Sequence, residues 1–158
     1  MNPFLLIVVA LTGLILIVAV AGKPLLRRLQ QRQAQDAVAL FRRQREQLEA
    51  KFFDMASRLG KPRGVRWIDC DWQERTAFGR DLQTGMLTAF VAVEIRFEAI
   101  PGGDMDGIEH VGLLRDAAAL FHFQNGAWGT GGRALFNMSP ADALSRLHDQ
   151  YEPVELPA

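Results

Sequence analysis

Two carboxylates and a guanidinium, Glu94, Arg96 and Glu98, stand at alternate positions of a segment whose intervening residues, Ile95 and Phe97, are apolar. Period two is the strand period, so the three share one face of a strand. A carboxylate pair becomes acid–base machinery when an imidazole lies beside it, and His122 is the candidate. The dipeptide Asn125-Gly126 decides where His122 falls. Between two runs of strand formers it predicts a two-residue hairpin turn. That turn sets Phe123 opposite Trp128, Phe121 opposite Thr130 and Ala119 opposite Gly132 on one face. It sets His122 opposite Gly129, Leu120 opposite Gly131 and Ala118 opposite Arg133 on the other. The two glycines leave space beside His122 and Leu120, and Phe90 shares the face of Glu94. The expected site is therefore a shallow groove of Phe90, Glu94, Arg96, Glu98, Leu120, His122 and Arg133. Trp67, Asp69 and Asp71, at alternate positions of another segment, are candidates to join it. Three uses stay open for such a surface: a solvated sheet face, a partner surface, or a catalytic or small-ligand site.

Other reactive residues stand alone. Cys70 is the only cysteine, which excludes an internal disulfide and reads as a small core residue. Asp104, Asp106 and Glu109 lie in the glycine-rich stretch PGGDMDGIEHVGLLR, but without the ligand spacing of a calcium loop, so the stretch reads as a solvated loop. No nucleophile–base pair, metal-ligand set or cofactor motif stands out.

The elements that must hold these residues follow from periodicity. VRWIDCDW, from Val65 to Trp72, predicts a strand; RTAFGRD, from Arg75 to Asp81, a second short one; and Leu82 to Gly85 a turn. The longest strand is expected from Met86 to Ile100, with Leu87, Ala89, Val91, Val93, Ile95 and Phe97 as its apolar face. A loop runs from Pro101 to Arg115. Asp116–Gln124 and Ala127–Phe136 are the hairpin strands. Ser139-Pro140-Ala141-Asp142 begins a short helix that ends near His148, by virtue of a capping side chain, a first-turn proline and a first-turn acid. The tail YEPVELPA is expected to fray.

A helix must cover the apolar face. Ala34, Val38, Phe41, Arg45, Leu48, Phe52, Met55 and Leu59 recur at spacings of three and four, a single stripe broken only by Arg45. The stripe either packs on the sheet or self-associates as a coiled coil. The fold class expected is α+β: an N-terminal transmembrane helix, an amphipathic helix packed on an antiparallel meander of four to five strands, and a short C-terminal helix.

Residues 1–22 form the expected anchor, because Phe4 to Ala21 carries no charge and approaches the length of a bilayer span. Ala19-Val20-Ala21 resembles a cleavage site, yet the apolar run is long and no basic residue precedes it, which favours a signal anchor. Gly22-Lys23-Pro24 is expected to interrupt the helix. Residues 23–37 form a basic juxtamembrane segment and residues 38–158 the soluble domain. Lys23, Arg27, Arg28 and Arg32 precede the first acid, which places the domain on the cytoplasmic side, next to anionic headgroups of the lipid bilayer; a periplasmic domain is the alternative.

The formal net charge of zero hides a split: residues 23–63 hold eleven basic and four acidic side chains, residues 64–158 seven and fourteen. The basic residues alternate with Gln and Leu and lack interleaved aromatics, which argues against nucleic acid.

GKPRGVRWIDCDW, EIRFEAIPGG and GRALFNMSPADAL are similar to a group of uncharacterised bacterial single-anchor membrane proteins of unknown function, and that resemblance implies no activity. The element order resembles the cystatin-like and nuclear-transport-factor-like layouts. A pilin-like exported subunit is a poorer match, since the leader and the glutamate at the fifth position of the apolar run are missing; Val8 stands there. The function expected is a membrane-tethered cytoplasmic module that binds a protein partner or forms a homo-oligomer. The alternatives are a small-ligand-binding or enzymatic domain and an exported subunit.

Overall fold

A computed structural model describes residues 3–59, 64–108, 112 and 114–155, with side chains of the first helix described at Thr12, Leu26 and from residue 28 onward. The chain is α+β, with two helices and a six-stranded antiparallel sheet among the described residues. It divides into two units, residues 1–36 and 37–158.

The first unit is the N-terminal part of helix α1, Pro3–Leu59. α1 runs through Gly22-Lys23-Pro24, where an interruption was expected. A proline costs one main-chain bond and crowds one carbonyl, and here the helix continues on both sides of it. Apart from Thr12, the side chains of the anchor expected at residues 1–22, and those of Lys23 and Arg27, lie outside the described ones. Arg28 and Arg32 are exposed. Among the described residues no helix is long and apolar enough to cross a membrane.

The second unit holds the rest of α1 and strands β1 (Val65–Asp81), β2 (Leu87–Ala99), β3 (Arg115–Gln124), β4 (Ala127–Gly129), β5 (Ala134–Phe136) and β6 (Tyr151–Pro153). Helix α2 (Pro140–Arg146) lies between β5 and β6. The order across the sheet is β4-β3-β2-β1-β6, with β5 also paired to β3.

Within residues 37–59 the expected stripe is buried at Val38, Phe41, Leu48 and Phe52, joined by Ala37 and Ala56, while Leu59 is exposed at the helix end. The stripe meets the apolar face of the sheet through aromatic contacts. Phe41 lies 5.8 Å from Phe78 and 4.9 Å from Trp128. Phe52 lies 5.3 Å from Trp72 and 5.8 Å from Phe121. Trp128 Nε1 donates to the Ala37 carbonyl at 2.6 Å, so the hairpin tip is tied to the helix by a buried hydrogen bond. Arg45, the break in the stripe, donates through Nε to Glu49 at 2.7 Å and through its guanidinium to the Gln73 carbonyl.

Four expectations are corrected here. The two strands expected within residues 65–81 are one strand of 17 residues, with register irregularities between Trp67 and Asp69 and between Trp72 and Thr76. A bulge bends and offsets a strand without ending it. The hairpin follows the expected register only to His122 opposite Gly129; pairing resumes with Ala119 opposite Ala134, two residues later than expected. Gly132 explains the offset. It has a φ of +70°, and a Cβ there would stand 2.6 Å from the Ala56 nitrogen, so the chain loops out where α1 passes closest. The tail does not fray at its start, because Tyr151–Pro153 pairs with Gly79–Asp81.

The fourth correction concerns the second face of β2, expected to be open along its length. α2 and β6 seal half of it. Ser139 caps α2 and forms a reciprocal capping box with Asp142. The helix then buries Ala143 and Leu144 against Phe90, Ala118 and Leu120, with Ala77, Leu135, Met138, Leu147 and Tyr151 around them. Gly79 permits this approach, since a Cβ there would stand 2.6 Å from Leu144 Cδ2.

Candidate functional site

The second sheet face divides into a sealed half and an open half. Phe90 and Leu120, at 0% and 2% exposure, belong to the sealed half and are core, not groove. His122 stands at its edge, opposite Thr88. Thr88 is fully buried, and its hydroxyl finds the His122 Nδ1 at 3.1 Å. The imidazole therefore satisfies a buried polar group. Burial, and then the Arg133 guanidinium, hold its pKa below the usual value, against a smaller opposing pull from Asp81. Gly129 and Gly131 have open space beside them, as expected, although Gly131 is not paired opposite Leu120.

The open half begins past Ala92. Across three strands Asp71 stands opposite Glu94 and Glu94 opposite Asp116. One step along, Asp69 stands opposite Arg96. Beyond that, Arg66 stands opposite Glu98 and donates through Nε to Oε2 at 2.7 Å. Like charges directly opposite one another cost stability, so the row Asp71-Glu94-Asp116 is a feature that folding alone does not favour. Glu94 accepts from Gln73 Nε2 at 2.5 Å, and the Arg75 guanidinium donates to Gln73 Oε1.

Gln73 and Arg75 belong to the bulge between Trp72 and Thr76, which thereby serves both layers: the Gln73 carbonyl faces Arg45 of α1, while its side chain reaches Glu94. Where the open half meets α2 there is a cavity of about 340 Å³, lined by Gln73, Arg75, Asp116, Asn137, Ser139 and Asp142 over Ala92. Asn137 holds a φ of +57°, a conformation that asparagine tolerates better than most residues. Bonds from the Ser139 hydroxyl and backbone hold the Asp142 carboxyl below its ordinary value.

The candidates named from the sequence are thus separated. Thr88, the partner of His122, and Glu94 are six residues apart on β2, about 20 Å. His122 and Arg133 accordingly leave the carboxylate group, whereas Asp69, Glu94, Arg96 and Glu98 remain together. Trp67 lies on the opposite face, against Phe97 at 5.1 Å and Phe52 at 6.2 Å. The irregularity between Trp67 and Asp69 is the reason, because one inserted residue transfers a side chain to the other face. Trp67 Nε1 is buried with no partner among the described residues. Cys70 also faces α1, opposite Ile95, and burial aided by the Asp69 charge pushes its thiol up to about 12, so it stays protonated.

Sequence reasoning missed Gln73, Arg75, Asp116 and Asn137. Their only signal is the break of alternation at Gln73-Glu74-Arg75, three polar residues between Trp72 and Phe78, which reads equally well as a turn. Comparison of the chain with protein families, with curated proteins and with solved structures finds no match.

Proposed function

We propose that the chain is a membrane-tethered α+β module whose open half-face docks a protein partner on the cytoplasmic side. The supporting observation is the contrast between the two halves of one sheet face. α2 and β6 seal the apolar half, while Asp69, Asp71, Glu94, Arg96 and Asp116 stay clustered beside a polar cavity. A charged, preformed surface of this kind selects by electrostatic complementarity. The carboxylate row, in a segment of net charge −7 counted from seven basic and fourteen acidic residues over 64–158, favours a partner with a basic contact surface. The uncharged run at Phe4–Ala21 and the basic residues that follow support the tether and its orientation.

A small-ligand reading has the cavity in its favour, but polar side chains dominate its walls, which suits a partner's side chain better than an apolar ligand. The resemblance to single-anchor membrane proteins supports the tether and carries no activity. Photo-crosslinking tests the docking surface: a probe in place of Arg96 yields a protein adduct in membranes and one in place of Leu82, in the turn at the other end of β2, yields none. Equal adducts from both positions, or none from either, contradict the reading.

A further inference from the structure

The open edge of β1 carries an inference beyond the docking face. β3 is flanked on its outer side by β4 and β5, and β6 covers β1 only at Gly79–Asp81. From Val65 to Trp72, β1 has no strand on its outer side among the described residues. The direction of its backbone groups follows from the ends of β2. Ile100 N–H donates to the Gly64 carbonyl, and Asp81 N–H to the Met86 carbonyl. Even-numbered residues of β2 therefore turn their backbone toward β1 along its whole length. Asp69 and Asp71, opposite Arg96 and Glu94, face β2. Val65, Trp67, Cys70 and Trp72 face outward. Cys70 N–H is satisfied by the Asp69 carboxylate at 2.8 Å, as befits an N–H with no strand beside it.

The spacing of these outward residues is not uniform, because the irregularity at Ile68 separates Trp67 from Cys70 by three positions. An ordinary strand with outward groups at every second residue cannot match all four. A second copy of the same segment, running antiparallel about a two-fold axis between Ile68 and Asp69, does. It sets Val65 opposite Trp72 and Trp67 opposite Cys70, twice each, with bulge facing bulge. The same register sets Arg66 opposite Asp71 on one face, twice, so opposite charges meet and no like charges do. We infer that two copies of this chain pair through residues 65–72 of β1, joining their sheets into one across an isologous two-fold interface.

Pairing replaces the Asp69 cap on Cys70 N–H with the carbonyl of Trp67 from the second copy and covers Ile68, which is 41% exposed. Asp69 and Asp71 border both the pairing edge and the open face, whose centre is Glu94, Arg96 and Asp116. The link from position 68 to a second copy and the adduct from position 96 to another protein tell the two apart, so one can fail while the other holds.

The test uses the full chain in detergent. Sedimentation of the wild type gives a monomer–dimer equilibrium. Arg66→Asp and Asp71→Arg each weaken it by about tenfold, and the double variant restores it, since each single change sets two like-charge pairs across the axis. Circular dichroism confirms that the variants are folded. In a Cys70→Ala background, Ile68→Cys links to its own copy through a short bis-maleimide, while Leu82→Cys does not. A chain that stays monomeric and gives no link from position 68, a dimer indifferent to the charge exchange, or a mass increase only when another protein is added each overturns the proposal. The adduct at position 96 remains the separate readout of the partner surface.

Discussion

Phe52→Ala removes the ring that joins helix to sheet, and its cost can be worked from the contacts. Phe52 is fully buried, with ring centroids 5.3 Å from Trp72, 5.8 Å from Phe121 and 6.2 Å from Trp67. Burying an aromatic side chain removes about 150 to 250 Å² from water, which at about 25 cal/mol per Å² gives roughly 4 to 6 kcal/mol as an upper figure. Alanine keeps part of that, and the void left behind costs in addition; Phe→Ala changes in cores fall at about 3 to 5 kcal/mol. Three neighbours that are themselves large rings cannot collapse into the space, which places this change near the top, at about 4 to 5 kcal/mol. Native domains have only about 5 to 15 kcal/mol in total. Urea unfolding of the full chain in detergent, followed by tryptophan fluorescence, should show a much lower midpoint at unchanged slope. A loss below about 1 kcal/mol, in the range of surface changes, accompanied by a fall in oligomer mass would refute the packing of α1 on the sheet and support a coiled-coil stalk.

Gly132→Ala should cost about 2 to 4 kcal/mol in the same assay, from the left-handed backbone and the overpacking against α1 together; a neutral result would mean that the close approach at Ala56 relaxes freely. His122 should titrate below its usual 6.5 by NMR, because burial and Arg133 disfavour its cation. With a lowered folded-state pKa the unfolded chain binds the proton more readily, so this contribution to stability is complete above 6.5 and is lost as pH falls through the lowered value; His122→Gln should flatten that dependence, and a midpoint at or above 6.5 would contradict it. A cytoplasm-dependent fluorescent protein fused after Ala158 should be bright in membranes and an alkaline phosphatase fusion inactive; the reverse pattern would place the domain outside.

Elements with a strong period were legible in the sequence. The alternation of Leu87 to Phe97, the Asn125-Gly126 turn and the Ser139 cap each act over a few residues, and each stands as expected. What escaped depends on partners distant in sequence. The irregularity at Ile68 leaves no local trace, yet it separates Trp67 from Asp69 and turned one expected face into two. The loop at Gly132 exists because α1 passes there, a contact between residues 56 and 132. Phe90 and Leu120 were placed in the groove by strand face and by the space at Gly129 and Gly131, and the tail, expected to fray, instead helps to seal them. Glu94, Arg96 and Glu98 remained a group because they share one strand, whereas His122 was joined to them by face alone, without regard to distance along the ladder.

Glu94→Lys tests the docking surface most directly, because it separates folding from binding. The change sets a cation between Asp71 and Asp116, turning two like-charge pairs into two opposite ones worth about 0.2 to 1 kcal/mol each, against the loss of the Gln73 bond. The melting temperature should hold or rise while the protein adduct from the probe at position 96 disappears. An undiminished adduct from a folded Glu94→Lys chain would contradict the partner surface.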